Sequence, residues 1–131
     1  MYVARRRLFN KEGKPDQSGY HLVVLAKNEK GYHNLIKLVS KAWTEGFYMR
    51  PRTDRVELEK YHEGLIVCTA CIAGEVPKNI IAGKYEEAEE AIQWYKRVFG
   101  ETFIWSCSVI RPPYPVPITK RINCNRLLMR N

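Results

Sequence analysis

An α/β fold with a parallel sheet is what this sequence predicts, and three observations predict it. Two short runs, His21 to Ala26 and Leu65 to Ala70, are continuously apolar with β-branched centres. Such runs suit strands buried on both faces of a parallel sheet. The residues between and after them carry helical periodicity, and the resulting order of strand, helix, helix, strand, helix, helix is the rhythm of α/β proteins.

Tyr2 to Ala4 is a short apolar stretch that reads as the end of a strand. Arg5 to Gly19 is polar, with Lys14-Pro15-Asp16 and Ser18-Gly19 inside it, and reads as a mobile loop. After the first apolar run, Leu35, Leu38, Val39 and Ala42 recur at three- and four-residue steps, which predicts a helix over 30–43. Asn28 and Glu29 supply its start signal and Gly46 its stop. Phe47 to Thr53, aromatic and basic around Pro51, reads as a connection. Asp54 then caps a short helix carrying Val56 and Leu58 that ends by Gly64. Beyond the second run, 76–82 and 85–99 read as two helices divided by Gly83, with Ala88, Ala91, Ile92 and Tyr95 on one face of the second. The two apolar runs are expected to lie side by side as parallel strands.

Composition limits the function classes. At 131 residues, 45% hydrophobic and 27% charged, the chain has the make-up of one ordinary globular domain. Its longest apolar run, near Leu22 to Ala26, is far short of the roughly 20 residues that a membrane-spanning helix needs. The N-terminus places Arg5, Arg6 and Arg7 after a very short apolar start, the reverse of a signal peptide, so a cytoplasmic location is the expectation. Four irregularly spaced cysteines, Cys68, Cys71, Cys107 and Cys124, fit reduced thiols better than a disulfide framework. The net charge of +8 would suit an anionic partner. Five of those units, however, come from Arg111, Lys120, Arg121, Arg126 and Arg130, in a stretch without a single acid.

Four segments, in order, carry a family resemblance. They are Tyr20-His-Leu-Val-Val-Leu-Ala-Lys-Asn-Glu-Lys-Gly-Tyr-His-Asn-Leu35, Trp43-Thr-Glu-Gly-Phe-Tyr-Met-Arg-Pro-Arg52, Glu63-Gly-Leu-Ile-Val-Cys-Thr-Ala-Cys-Ile-Ala-Gly-Glu75 and Glu89-Glu-Ala-Ile-Gln-Trp-Tyr-Lys-Arg-Val-Phe-Gly100. Together they resemble the PHP domain of bacterial DNA polymerase III alpha subunits over residues 2–103, and several long motifs in register are specific where one short pattern is not.

The resemblance implies part of a PHP-type distorted β/α barrel at the N-terminus of a large replicative DNA polymerase, a nucleotidyltransferase. It implies a divalent metal site (zinc, manganese or magnesium) at the strand ends, with His21 and Cys71 on positions where the family has metal ligands. Imidazole and thiolate suit zinc-like ions. The family's remaining ligands fall outside the matched region, so at most two remain of a set of three or four, and the polymerase acids belong to a later domain. The chain is therefore expected to be an inactive fragment that holds no metal tightly. For the parent, the implied partners are DNA and replisome subunits such as the sliding clamp and the proofreading exonuclease. No membrane partner is implied. Exposed sheet edges would favour self-association of the fragment.

Each sharp reading has a plainer rival. By spacing alone, His21 would be a hydrogen-bonded strand-end histidine. Cys68-Thr-Ala-Cys71 invites a redox or zinc reading, yet Cys68 falls inside an apolar strand. His33 and His62 read as surface residues. Arg50 to Arg52, with Phe47, Tyr48 and Arg55, mixes cations and aromatics as single-strand binders do, but reads as a solvated loop. Glu86, Glu87, Glu89 and Glu90 read as an exposed helix start. The alternative function is a small, non-catalytic, basic nucleic-acid-binding module. It would need positive charge clustered on a folded face, whereas here the charge sits in the tail.

The domain division is therefore 1–103 and 104–131. The second part has four prolines within six residues and neither periodicity, and no core-forming element is expected in it. It reads as an irregular C-terminal tail and a frameshifted translation. One base lost at the Phe103 codon would turn codons for Tyr-Leu-Glu-Leu-Gln, the family's next strand, into Ile104-Trp-Ser-Cys-Ser108.

Overall fold

The computed structural model describes residues 1–105; the predicted tail from 106 onward lies outside the described residues. Strands β1 (Tyr2–Val3), β2 (Tyr20–His21) and β4 (Arg52–Thr53) form one three-stranded sheet in the order β2-β1-β4. Strands β3 (Val23–Ala26), β5 (Leu65–Cys68) and β6 (Phe103–Ile104) form a second, in the order β3-β5-β6. The helices are α1 (Gly13–Gln17), α2 (Glu29–Thr44), α3 (Arg55–Lys60), α4 (Glu75–Ile81) and α5 (Tyr85–Phe99), the last followed by a 3₁₀ turn at Gly100–Thr102. The fold is mixed α/β, as expected. Among the described residues the strands make two small three-stranded sheets, where part of a distorted β/α barrel was expected.

The predicted helix starts are realised by their caps. Asn28 accepts a hydrogen bond from the Gly31 N–H and Asp54 accepts one from the Glu57 N–H, each satisfying an amide that the first turn leaves without a partner. On α5 the face of Ala88, Ala91, Ile92 and Tyr95 is buried, as its periodicity requires. On α2, Leu38 and Ala42 are buried but Val39 is not. Val39 joins Tyr32, Ile36 and Trp43 in a second, exposed apolar stripe.

Two cores result. Val3, Leu22, Leu38, Leu58, Leu65, Val67, Trp94, Tyr95 and Phe99 pack between α2, α5 and the strands, and Val76, Ile80, Ala88, Ala91 and Ile92 pack between α4 and α5.

The first apolar run departs from expectation in three ways. It is split at Leu22, whose N–H donates to the Met1 carbonyl while the Met1 amine donates to the Leu22 carbonyl. His21 thus belongs to one sheet and Val23 to the other. Second, β3 is not buried on both faces: Val23 is 42% and Leu25 50% exposed.

Third, β3 and β5 are antiparallel, with Val23 opposite Cys68 and Ala26 opposite Leu65. The path between them passes through β4. Helix α2 packs on β3 and carries the chain back toward where β3 began, as a crossover helix does. The next strand, however, joins β1 in parallel in the other sheet, Tyr2 opposite Arg52. β5 starts beside the end of β3, where the Lys27 N–H donates to the Gly64 carbonyl. The pairing of β5 with β6 is parallel. It extends through Ile104, one residue past the predicted boundary at 103.

The connection at 47–53 is also not solvated at its end. Arg52 is 1% exposed, and its guanidinium donates to the carbonyls of Gly46, Asp16, Leu8 and Asn10 at 2.7–3.1 Å. Burial lowers the Arg52 pKa, with Asp16 and Tyr48 opposing. This one side chain organises the polar segment 5–19, which was expected to be a mobile loop. Leu8 and Asp16 are buried within it, and α1 forms there. Asp16 in turn accepts from the Arg6 side chain and from the Glu12 N–H, and these bonds hold its pKa below the usual carboxylate range.

Candidate metal-binding site

His21 ends β2, and Cys71 lies three residues past the end of β5. Fifty positions apart in sequence, the two meet: Cys71 Sγ is 3.4 Å from His21 Nδ1. The turn that carries Cys71 is built for this approach. Ala70 adopts a left-handed backbone (φ 56°), which reverses the chain directly after β5. The Gly74 N–H donates to the Cys71 carbonyl, and the His21 N–H donates to the Ala73 carbonyl, tying the turn to β2. Gly74 is needed for close approach, since a Cβ there would lie 2.5 Å from the Thr69 carbonyl oxygen.

The spacing of the two donor atoms fits a shared ion. With Zn–N of about 2.05 Å and Zn–S of about 2.3 Å in tetrahedral geometry, two ligands of one zinc stand about 3.6 Å apart. Without a metal, the same distance is a hydrogen bond between thiol and imidazole. Among the described residues, no group of three or more His, Cys, Asp or Glu side chains is arranged to hold an ion. Two donors would fill two of the four positions that a structural zinc takes.

The other face of His21 is occupied as well. The Tyr2 ring meets the imidazole edge-on with centroids 5.0 Å apart, and the Arg50 guanidinium lies over the Tyr2 ring at 5.0 Å while donating to its hydroxyl. Sequence reasoning placed Arg50 in a loop patch and missed this link. Parallel pairing of β4 with β1 brings it about, and such a two-residue strand has no periodicity to read.

The remaining candidates stay apart from this site. Cys68 is half-buried at the end of β5, and both Cys68 and Cys71 are free thiols. His33 and His62 are exposed, the latter bonded to the Glu59 carbonyl. Glu86, Glu87, Glu89 and Glu90 are exposed on the first turns of α5. A cleft of about 520 Å³ runs beside Arg5, Arg6, Arg7 and Arg55. Three of these arginines are already closed in ion pairs, Arg6 with Asp16, Arg7 with Asp54 and Arg55 with Glu75. Burial raises the Glu75 pKa against the opposing pull of Arg55 and Tyr95.

Among the described residues no helix is long and apolar enough to cross a membrane. Comparison with known proteins agrees with the order of motifs. The family model for the PHP domain matches residues 1–105. DNA polymerase III subunit alpha of Borreliella burgdorferi is 51% identical over 105 residues, 78% of this chain and 9% of that protein. The subunit from Treponema pallidum is 45% identical over 101 residues, 76% of this chain and 9% of that protein. The subunit from Thermus aquaticus is 40% identical over 104 residues, 78% of this chain and 8% of that protein. The chain thus spans less than a tenth of the length of these relatives. With four-fifths of its length matched by the family model and its two candidate ligands in contact, the chain belongs to the PHP domain family.

Proposed function

We propose that this chain is part of the PHP domain of a bacterial replicative DNA polymerase alpha subunit, where His21 and Cys71 contribute two ligands to a divalent metal centre. The observation that carries the reading is the 3.4 Å contact between Cys71 Sγ and His21 Nδ1. Of zinc, manganese and magnesium, a thiolate with an imidazole favours zinc. A bound ion of this kind supplies Lewis acidity and an activated water. The chain's own part is to hold the two donors at the right separation, through the Ala70 turn and the tie of β2 to Ala73.

In this reading the other ligands come from elsewhere in the parent domain. The isolated chain binds metal weakly and has neither polymerase nor phosphoesterase turnover, because two side chains do not enclose a catalytic ion. DNA, the sliding clamp and the proofreading exonuclease are partners of the parent. The isolated chain self-associates through the bare face of β3, where Val23 and Leu25 lie open.

Cobalt(II) titration tests the metal role, followed by thiolate-to-metal charge-transfer absorption. The expected result is a weak, saturable band that Cys71→Ser abolishes, His21→Ala weakens and Cys68→Ser leaves in place. A band that does not depend on Cys71 overturns the ligand assignment. Metal-dependent hydrolysis of a phosphodiester by the isolated chain overturns the claim of inactivity.

A further inference from the structure

Helix α2 carries more apolar surface than the core uses. Leu38 and Ala42 are buried, while Tyr32, Ile36, Val39 and Trp43 are 57%, 44%, 41% and 58% exposed. These four fall at steps of four, three and four residues, which is the spacing of a coiled-coil seam, and they form one row about 16 Å long. Phe47 continues the row past the helix end, its ring stacked on that of Trp43 with centroids 5.8 Å apart and planes 18° from parallel. Among the described residues nothing covers this row.

Its symmetry and its charges point to one occupant. The row is symmetric about the midpoint between Lys37 and Leu38, so that end for end Ile36 meets Val39 and Tyr32 meets Trp43. That is the register of two antiparallel helices, and it makes the row complementary to itself. The residues bordering it are Leu35 and Ala42 on one side and His33 and Ser40 on the other, none of them an acid, a lysine or an arginine. The lysines of α2 are drawn to the far side. Lys30 pairs with Glu63 at 2.6 Å, Lys41 pairs with Glu57 at 3.0 Å, and Lys37 lies over the Tyr61 ring at 5.8 Å. Glu29 lies before the row, at the first residue of the helix. Two copies therefore close on this face without bringing like charges together. With about half of each ring open, the row offers on the order of 400 Å² per copy and about 800 Å² in a pair, the size of a transient contact.

We propose that the row from Tyr32 to Trp43 is a docking face for a second copy of this chain, which binds through its own α2, antiparallel and about a two-fold axis. The dimer is weak and reversible. At its centre are two contacts of Ile36 with Val39, one from each copy, and contacts of Tyr32 with Trp43 close it at both ends. This face is separate from the bare face of β3 and independent of the His21 and Cys71 pair.

The test is sedimentation equilibrium of the full chain over a wide range of concentrations. The expected result is a monomer–dimer equilibrium that Ile36→Lys and Val39→Glu each weaken by about tenfold or more, because each sets a charge against an apolar residue of the other copy. Mixed in equal amounts, the two variants should recover most of the lost affinity, since the antiparallel register places the introduced ammonium opposite the introduced carboxylate. Ile36 and Val39 are exposed, so both variants keep the core, and circular dichroism of each alone checks that. Leu25→Lys, on β3, should leave the dimer in place. A chain that stays monomeric at every concentration, an equilibrium that Ile36→Lys does not change, or a mixture that does not recover overturns the proposal. Association that Leu25→Lys removes and Ile36→Lys leaves intact assigns the contact to β3 and overturns it as well.

Discussion

Replacing Arg52 by methionine keeps an apolar stem of similar reach and removes the guanidinium. Four carbonyl oxygens, on Gly46, Asp16, Leu8 and Asn10, then lose their donor. Hydrogen bonds to a charged group are each worth about 1.5–3 kcal/mol net, which would give an upper limit of about 6–12 kcal/mol if every acceptor stayed buried. They do not all stay buried, because segment 5–19 is free to swing toward water and rehydrate its carbonyls. The loss is then limited to the range found for breaking a buried charged network, about 3–5 kcal/mol. Urea denaturation of the wild-type chain and Arg52→Met measures this directly, and hydrogen exchange locates it. The amides of 5–19 and of β4 should lose protection first, while those of α5 keep theirs. Arg52→Lys should fall between, since an ammonium keeps the charge but cannot span four acceptors. A destabilisation under about 1 kcal/mol would place Arg52→Met among ordinary surface substitutions and refute the hub argument. So would unchanged protection across 5–19.

Glu75 has its pKa raised by burial, so the folded state holds its proton more tightly than the unfolded chain does. Stability therefore rises as pH falls through the folded pKa toward the ordinary carboxyl value, and Glu75→Gln should flatten that slope in chemical denaturation at stepped pH. Gly74→Ala places a Cβ 2.5 Å from the Thr69 carbonyl oxygen, with backbone on both sides. It should cost about 1–3 kcal/mol and move Cys71 away from His21, which weakens the cobalt band in parallel. We also propose that residues from 104 onward are read in a shifted frame, which their lost periodicity, missing acids and clustered prolines motivate. Sequencing the gene should show a short T run at the Phe103 codon, and a stop in the alternative frame within a few triplets would end the idea.

How much was legible divides along physical lines. Helices with caps and several turns were readable, because Asn28 and Asp54 act on amides three residues away and the α5 face repeats over 15 residues. Signals of that kind are local. The orientation of β5 against β3 was not readable, because no residue pattern within either run marks the direction of its partner, and the path between them passes through β4, two residues long, in the other sheet. Arg52 misled for a related reason. Its position next to Pro51, in a basic and aromatic stretch, has the composition of a solvated loop, while its acceptors lie on backbone 6 to 44 residues away that no side-chain pattern marks.

The site follows the same logic. His21 and Cys71 were identified by resemblance, residue by residue, and the fold brings them into contact. Tyr2 and Arg50 were not identified, because they join the site only through the pairing of β1 with β4, the feature that was overlooked. One short parallel strand thus ties the first sheet to the site: it pairs in register with β1, and it sets Arg50 beside Tyr2 and, through it, beside His21. Fold and site therefore share a weak point. Loosening β4, as Arg52→Met should, ought through β1 and β2 to weaken the Cys71-dependent cobalt band as well, although the Arg52 guanidinium donates to the carbonyls of Gly46, Asp16, Leu8 and Asn10 and not to His21 or Cys71.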